Sequence, residues 1–259
     1  MIKVMEALDN AHTGKAGALK ISAEGVESPV VSELLYEHRM ELWVNEQLVA
    51  RLVCTPENLD AYVVGRLITE GLIRTTDDIE MLHISENGRV AKVTLNVRGE
   101  LAEGTAEEPT SVLGNQVLLR PVECTGVEPV SKVVWQKEWI YNIVDMFAKD
   151  SKLHKTTGGT HSCVLAVEGE ILHVVEDLGR HNAMDKAIGY AVLNDIAPEK
   201  CILFTTGRVP VDMVSKVIRA GIPVLVSKSI PTMDAVEMAR EYGLTLICKA
   251  WPDSFEVYG

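Results

Sequence analysis

Cys201-Ile202-Leu203-Phe204, Pro223-Val224-Leu225-Val226 and Leu244-Thr245-Leu246-Ile247 are three short apolar runs whose order and spacing decide the fold. Each is too short for a helix, aliphatic, and bounded by glycine, proline or charge, so each reads as a strand buried on both faces. The residues between them predict helices over about 210–220 and 232–242. Strand, helix, strand, helix, strand with short connections requires right-handed crossovers and a mostly parallel sheet. Ligands of such sheets gather beyond the carboxyl ends of the strands. Thr205-Thr206-Gly207-Arg208, Ser227-Lys228-Ser229 and Lys249-Ala250-Trp251-Pro252 lie there, each polar or cationic directly after an apolar run. The functional site is expected at that edge. Lys216, two turns into its helix, reads as a solvated charge.

Working outward, Ser162–Val167 and Ile171–Val175 predict a hairpin through Glu168-Gly169, followed by a helix over about 181–194. Thr156-Thr157-Gly158-Gly159-Thr160-His161 precedes the hairpin. Its glycines and hydroxyls suit an anion cradle, but also a plain turn before a strand. Glu176-Asp177-Leu178-Gly179-Arg180-His181-Asn182 joins strand to helix and allows two readings. It is an ordinary cap, with Asp177 or Asn182 satisfying free N–H groups and Arg180 paired to Glu176. Or it is an anion site, since Arg180 and His181 beside a positive helix end are locally unfavourable without an anion.

The N-terminal part has a different texture. Residues 1 to about 37 show weak periodicity and read as a loosely ordered leader. Glu41–Val44 and Val49–Val53 predict a hairpin, and Thr55-Pro56 a helix start carrying Leu59, Tyr62, Val63, Leu67 and Ile68 on one face, with Gly71 ending it. Ile79–Ile84 and Val90–Val97 predict a second hairpin turning at Asn87-Gly88. Residues 98 to about 115 are acidic, small and unpatterned, as in a linker or exposed loop. A helix is expected over about Ser131–Lys149. The domains expected are therefore a smaller α+β part with its linker over 1–125 and an α/β domain over 126–259.

A formal net charge of −12 argues against a nucleic-acid backbone as the main ligand. The sequence shows neither a basic-then-apolar leader nor an apolar run of about 18–20 residues, so the expectation is a cytoplasmic protein that does not engage a membrane. The five cysteines are widely spaced and form neither a disulfide framework nor a paired zinc motif. Cys54, Cys163, Cys201 and Cys248 lie in or beside apolar strands and read as core. Cys124, in the non-periodic stretch Pro121-Val122-Glu123-Cys124-Thr125-Gly126-Val127, is the candidate for reactive chemistry, although Glu123 opposes the thiolate and an incidental cysteine is the competing reading.

Glu176-Asp177-Leu178-Gly179-Arg180-His181-Asn182-Ala183-Met184-Asp185-Lys186-Ala187-Ile188-Gly189 closely resembles the signature of the formate dehydrogenase accessory sulfurtransferase family. So do Thr157-Gly158-Gly159-Thr160-His161, Thr206-Gly207-Arg208-Val209, the run Gly221–Ser227, Pro231-Thr232, Gly243-Leu244-Thr245-Leu246, Val44-Asn45-Glu46 and Cys54-Thr55-Pro56-Glu57-Asn58. The resemblance covers about residues 35–259. It implies a C-terminal three-layer α/β domain with a fold similar to cytidine deaminases, although the chain lacks their zinc signature, which speaks against deamination. It implies a persulfide on Cys124, a cysteine desulfurase as donor and formate dehydrogenase or a related molybdenum or tungsten enzyme as recipient. It also implies a homodimer.

The cargo implied is bis-molybdopterin guanine dinucleotide, with no permanently bound metal. Its binding residues by this resemblance are Gly158, Gly159, His161, Arg180, His181, Asn182, Thr206, Gly207, Arg208 and Ser227, and also Lys249, Ala250, Trp251, Pro252, Asp253 and Ser254. Two departures stand out. The family's loop carries two cysteines as C-x-x-C, and here the second position is Val127. The string after the last strand also differs, with Lys249 or Trp251 left to contact a phosphate or stack on a guanine. A non-covalent cofactor-binding chaperone, favoured by Val127, and a nucleotide-processing enzyme are the alternatives.

Overall fold

A computed structural model describes residues 2–4, 12–85, 87–96, 116–117, 127–150 and 152–258; Cys124 and the expected linker over 98–115 lie outside these described residues. The chain opens with β1 (Ile2–Val4), then β2 (Thr13–Ile21) and β3 (Glu27–Leu35), which pair only with each other as a two-stranded antiparallel ribbon. This corrects the expectation of a loosely ordered leader. Gly14, Ala16, Gly17 and Ala18 leave β2 too small-featured to show an apolar alternation, while partner strand β3 supplies the pairing.

β4 (His38–Val44) and β5 (Gln47–Cys54) form the expected hairpin, turning at Asn45 and Glu46 with φ of 47° and 66°. Positive φ at both turn residues matches the twist of the flanking strands. Helix α1 (Leu59–Thr69) begins later than Thr55-Pro56, because the Thr55 amide and hydroxyl are taken by the Asp177 carboxylate at 3.0 and 3.1 Å. β6 (Ile79–Ile84), β7 (Val90–Leu95) and β8 (Gln116–Val117) complete a six-stranded sheet in the order β1-β6-β7-β4-β5-β8.

Helix α2 (Lys137–Asp150) starts six residues after Ser131. The Val130 amide donates to the Tyr242 carbonyl at 2.9 Å, and residues 131–136 take no regular structure before the helix; the β-branched Val133 and Val134 favour helix less than unbranched residues do. A six-residue helix α3 (Lys152–Thr157) runs into the start of the expected loop at Thr156-Thr157. Then come β9 (His161–Val167), β10 (Glu170–Asp177), α4 (Arg180–Leu193), β11 (Cys201–Thr205), α5 (Val211–Arg219), β12 (Val224–Ser227), α6 (Met233–Glu241), β13 (Thr245–Cys248) and an unexpected edge strand β14 (Glu256–Tyr258).

The second sheet is mixed, in the order β10-β9-β11-β12-β13-β14, with β11, β12 and β13 parallel and the flanking strands antiparallel. Strand periodicity sends Val164, Ala166, Ile202, Phe204, Val224, Val226 and Ile247 to one face, against Ile140, Ile143 and Val144 of α2. The opposite face, with Cys163, Leu165, Leu203, Leu225 and Leu246, packs on α4, α5 and α6. Each fully buried aliphatic side chain stabilises by roughly 1.5–3 kcal/mol. The result is three layers, helix, sheet and helices.

The N-terminal part shares this core. Met40, Leu42, Leu52 and Leu82 from its sheet and Tyr62, Val63 and Leu67 from α1 belong to the same buried cluster as α4. The two helices touch through glycines: a Cβ at Gly65 would stand 1.7 Å from the Asp185 carbonyl oxygen, and one at Gly189 1.8 Å from that of Ala61. Among the described residues no helix is long and apolar enough to cross a membrane.

Candidate functional site

Where β11 and β12 end and β9 begins, a cleft of about 410 Å³ opens, lined by Phe147, His154, Gly158, Gly159, Thr160, His161, Thr206 and Lys228. Its volume falls within the range of small-molecule sites, roughly 300–1,000 Å³. The parallel strands place it: β11 and β12 deliver Thr206 and Lys228 to one edge, and β9 runs the other way beside β11, bringing His161 to the same edge.

One wall is built by Glu176. Its carboxylate accepts the Leu153 and His154 amides of α3 at 3.0 and 2.8 Å and the Thr160 hydroxyl at 2.9 Å. The Gly158 amide then donates to the His154 carbonyl, and Gly158 takes the positive φ of 66° that ends the turn without a Cβ. The His154 ring lies 2.8 Å from the Thr160 carbonyl. Leu35 of β3 covers Gly159, so the root of the ribbon reaches the rim of the cleft.

The floor is a knot of strand-end hydrogen bonds. The Ser227 hydroxyl donates to the Gly207 carbonyl at 2.7 Å and accepts from the Ser229 amide, while the Thr205 hydroxyl accepts from the Gly207 amide. Ser227 is thus buried beneath the cleft rather than lining it. The Lys228 ammonium stands 4.5 Å from the centroid of the Trp251 ring, a cation–π contact joining the cleft to the turn after β13. In that turn Trp251 is 45% exposed, Ala250 is buried, Pro252, Asp253 and Ser254 are exposed, and the Lys249 ammonium is paired with Glu256 at 2.8 Å.

At the start of α4 the predicted residues divide. Arg180 lies across Gly207, where a Cβ would meet its Cδ at 2.7 Å, and Arg208 is exposed beside it. His181 is buried and its Nε2 lies 2.6 Å from Asp212 Oδ2. The anion expected near this cationic corner is therefore supplied, at least at His181, by a carboxylate in the first turn of α5. Asn182 points into the core: its amide accepts from the Tyr62 hydroxyl and donates to the Val53 carbonyl and Asp177. Burial pushes the His161 imidazole below its usual range, and the charges of Arg180, His154 and His181 act in the same direction. Burial likewise lowers His181, against the opposing pull of Asp212.

Several buried charged residues to which the sequence assigns no site role pack behind the site. Lys186, fully buried, lies 2.6 Å from Asp177 and donates to the Thr55 carbonyl at 3.0 Å. Lys216 is buried, not solvated, and donates to both oxygens of Asp185 and to the Thr69 hydroxyl, with Arg66 also paired to Asp185. Their i, i+4 and strand-to-helix spacing resembles ordinary surface charge, so only the fold reveals them. The four described cysteines, Cys54, Cys163, Cys201 and Cys248, are all buried thiols. Burial pushes Cys54 and Cys248 up to about 12 and Cys201 up to about 11, and raises Cys163 further. Among the described residues, no group of three or more His, Cys, Asp or Glu is arranged to hold a metal ion.

The model of the FdhD/NarQ family matches residues 35–259. The sulfur carrier protein FdhD of Listeria innocua is 29% identical over 240 residues, covering 90% of this chain and 92% of its own. That of Sulfurisphaera tokodaii is 33% identical over 253 residues, covering 94% and 95%. A crystal structure described as a formate dehydrogenase accessory protein from Desulfotalea psychrophila shares the fold, with a TM-score of 0.77 at 22% identity, covering 96% of this chain and 97% of that one.

Proposed function

The chain belongs to the FdhD/NarQ family, and on that footing we propose that it is a sulfur carrier for formate dehydrogenase maturation, with Cys124 as the atom-bearing residue. The observation that carries this reading is the burial of every described cysteine. A thiolate is the reactive form, and four of the five thiols are desolvated and held protonated. Cys124 is the one left for chemistry.

In the loading step the Cys124 thiolate attacks the outer sulfur of a persulfide on a cysteine desulfurase. The new S–S bond forms on Cys124 as the donor's S–S bond breaks, and the donor thiolate leaves, with no net oxidation. The acceptor of that sulfur is bis-molybdopterin guanine dinucleotide, bound as substrate. The cleft suits one nucleotide end of it: Lys228 offers a cation to a phosphate, the Gly158-Gly159 turn offers backbone without side chains, and Trp251 offers an exposed ring to a base. Release of the sulfur as sulfide breaks the Cys124 persulfide S–S bond and takes two electrons from a pair of thiols, which leave as a disulfide while Cys124 returns to a thiol. With valine at position 127 and the other described cysteines buried, those thiols come from another molecule.

Mass spectrometry after incubation with a cysteine desulfurase and cysteine tests this. One added sulfur atom, localised to Cys124 and absent from Cys124→Ser, is the expected result. An unmodified Cys124, with GDP still bound, would instead make the protein a non-covalent holder of the cofactor.

A further inference from the structure

The N-terminal sheet has one face on the shared core and one face open. Met40, Leu42, Leu52, Ala91 and Val93 point inward. By the register of β4, β5 and β7, the opposite face carries Arg39, Glu41 and Trp43 beside Arg51, Val53, Val90 and Lys92. A groove of about 570 Å³ lies there, lined by Arg39, Glu41, Arg51, Val53, Val90 and Arg89 among others. Its floor is aliphatic and its edges are cationic. Arg39, Arg51, Arg89 and Lys92 are all exposed. The Glu41 carboxylate pairs with Arg51 at 3.3 Å and accepts from the Trp43 indole. Among the described residues, Arg39 and Arg89 face no acid within ion-pair distance.

This is a local inversion of sign in a chain whose formal net charge is −12. Arginines that line one groove without an acid are relieved by an anionic partner, and arginine's planar fork matches carboxylates two oxygens at a time. We infer that this open sheet face docks a carboxylate-rich segment of a protein partner, whose acidic side chains meet Arg39 and Arg89 while its apolar groups lie on Val53 and Val90. The strongly acidic remainder of the surface repels such a partner everywhere else, so the patch fixes orientation more than affinity.

The position gives docking a purpose. Strand β8 pairs with β5 at Ala50 and Arg51, on the border of the groove. Cys124 follows Val117 of β8 by seven residues, a reach of at most about 25 Å. A partner seated on this face is within tether distance of that thiol. That last link rests on the sulfur-carrier reading; the docking itself does not.

Fluorescence anisotropy with a labelled oligoglutamate peptide of about twelve residues tests the surface, at about 50 and about 300 mM NaCl. The full chain is expected to bind it, and Arg39→Ala/Arg89→Ala to bind at least about tenfold more weakly, with a smaller loss on adding salt. Arg39→Lys/Arg89→Lys restores most of the binding, and the exposed but distant Arg240→Ala leaves it unchanged. Cys124→Ser binds like the parent, so a failed sulfur transfer cannot mimic a failed docking surface. No binding by the parent, or equal binding by the double alanine variant, overturns the inference. So does a single-stranded oligonucleotide of equal length that binds more tightly than the peptide and loses affinity on the same substitutions.

Discussion

Gly189→Ala tests the joint between the two parts of the molecule. A methyl group at Gly189 would stand 1.8 Å from the Ala61 carbonyl oxygen, where ordinary van der Waals contact begins at 3.4 Å. The obstacle is backbone, so no rotamer relieves it, and α1 and α4 must separate by about 1.6 Å. A gap of 0.5–1 Å already forfeits a quarter to a half of each contact, so much of the interface between these helices is lost. Overpacking of this kind costs roughly 3–5 kcal/mol at a backbone–backbone approach. The better helix propensity of alanine returns about 1 kcal/mol. The net loss is about 2–4 kcal/mol, or a Tm lower by roughly 5–15 °C for a chain of this size. Urea unfolding followed by circular dichroism reads it, with Gly17→Ala, whose Cβ meets nothing within 4 Å, as the control. A folded Gly189→Ala protein whose midpoint lies within about 0.5 kcal/mol of the parent would refute the reasoning.

Lys216→Met leaves Asp185 with Arg66 as its remaining cation and should cost about 3 kcal/mol, against almost nothing for the exposed Lys200→Met; chemical denaturation distinguishes them. His161, His173 and His181 are each held below the usual histidine range by burial. Their unfolded forms bind more protons between the depressed value and about 6.5, so stability present above pH 6.5 is lost as pH falls through that window. The urea midpoint should drop from pH 7.5 towards 5, and His173→Gln should flatten the slope. GDP should quench tryptophan emission through Trp251, with Trp251→Phe abolishing the change and Lys228→Ala weakening binding about tenfold, read by titration. Thiol alkylation of the native chain should label Cys124 and spare Cys54, Cys163, Cys201 and Cys248 until denaturant is added; peptide mapping locates the label.

The C-terminal sheet was legible because its strands are continuous aliphatic runs, and Thr206 and Lys228, which line the cleft, follow those runs directly. The ribbon over residues 13–35 was hidden, since its strands have little core to face and therefore little apolar rhythm. Gly65 and Gly189 carry no signal of their own in a helical window; only the opposing backbone gives them meaning. The resemblance puts Asn182 and Ser227 in the ligand set, yet their polar groups are spent inside the protein on Tyr62, Val53, Asp177 and Gly207. Glu176 and Lys186 look like surface charge in sequence, and their role depends on contacts from segments distant along the chain.

The shared interior also governs how the chain can be made. Tyr62 and Asn182, bonded at its centre, are 120 residues apart. On a ribosome adding about 5–20 residues per second, the apolar side of α1 emerges on the order of ten seconds before α4 exists to cover it. The nascent chain therefore spends that interval with Val63, Val64 and Leu67 unprotected, a natural client for a holding chaperone, and slowed translation between those points lengthens the hazard.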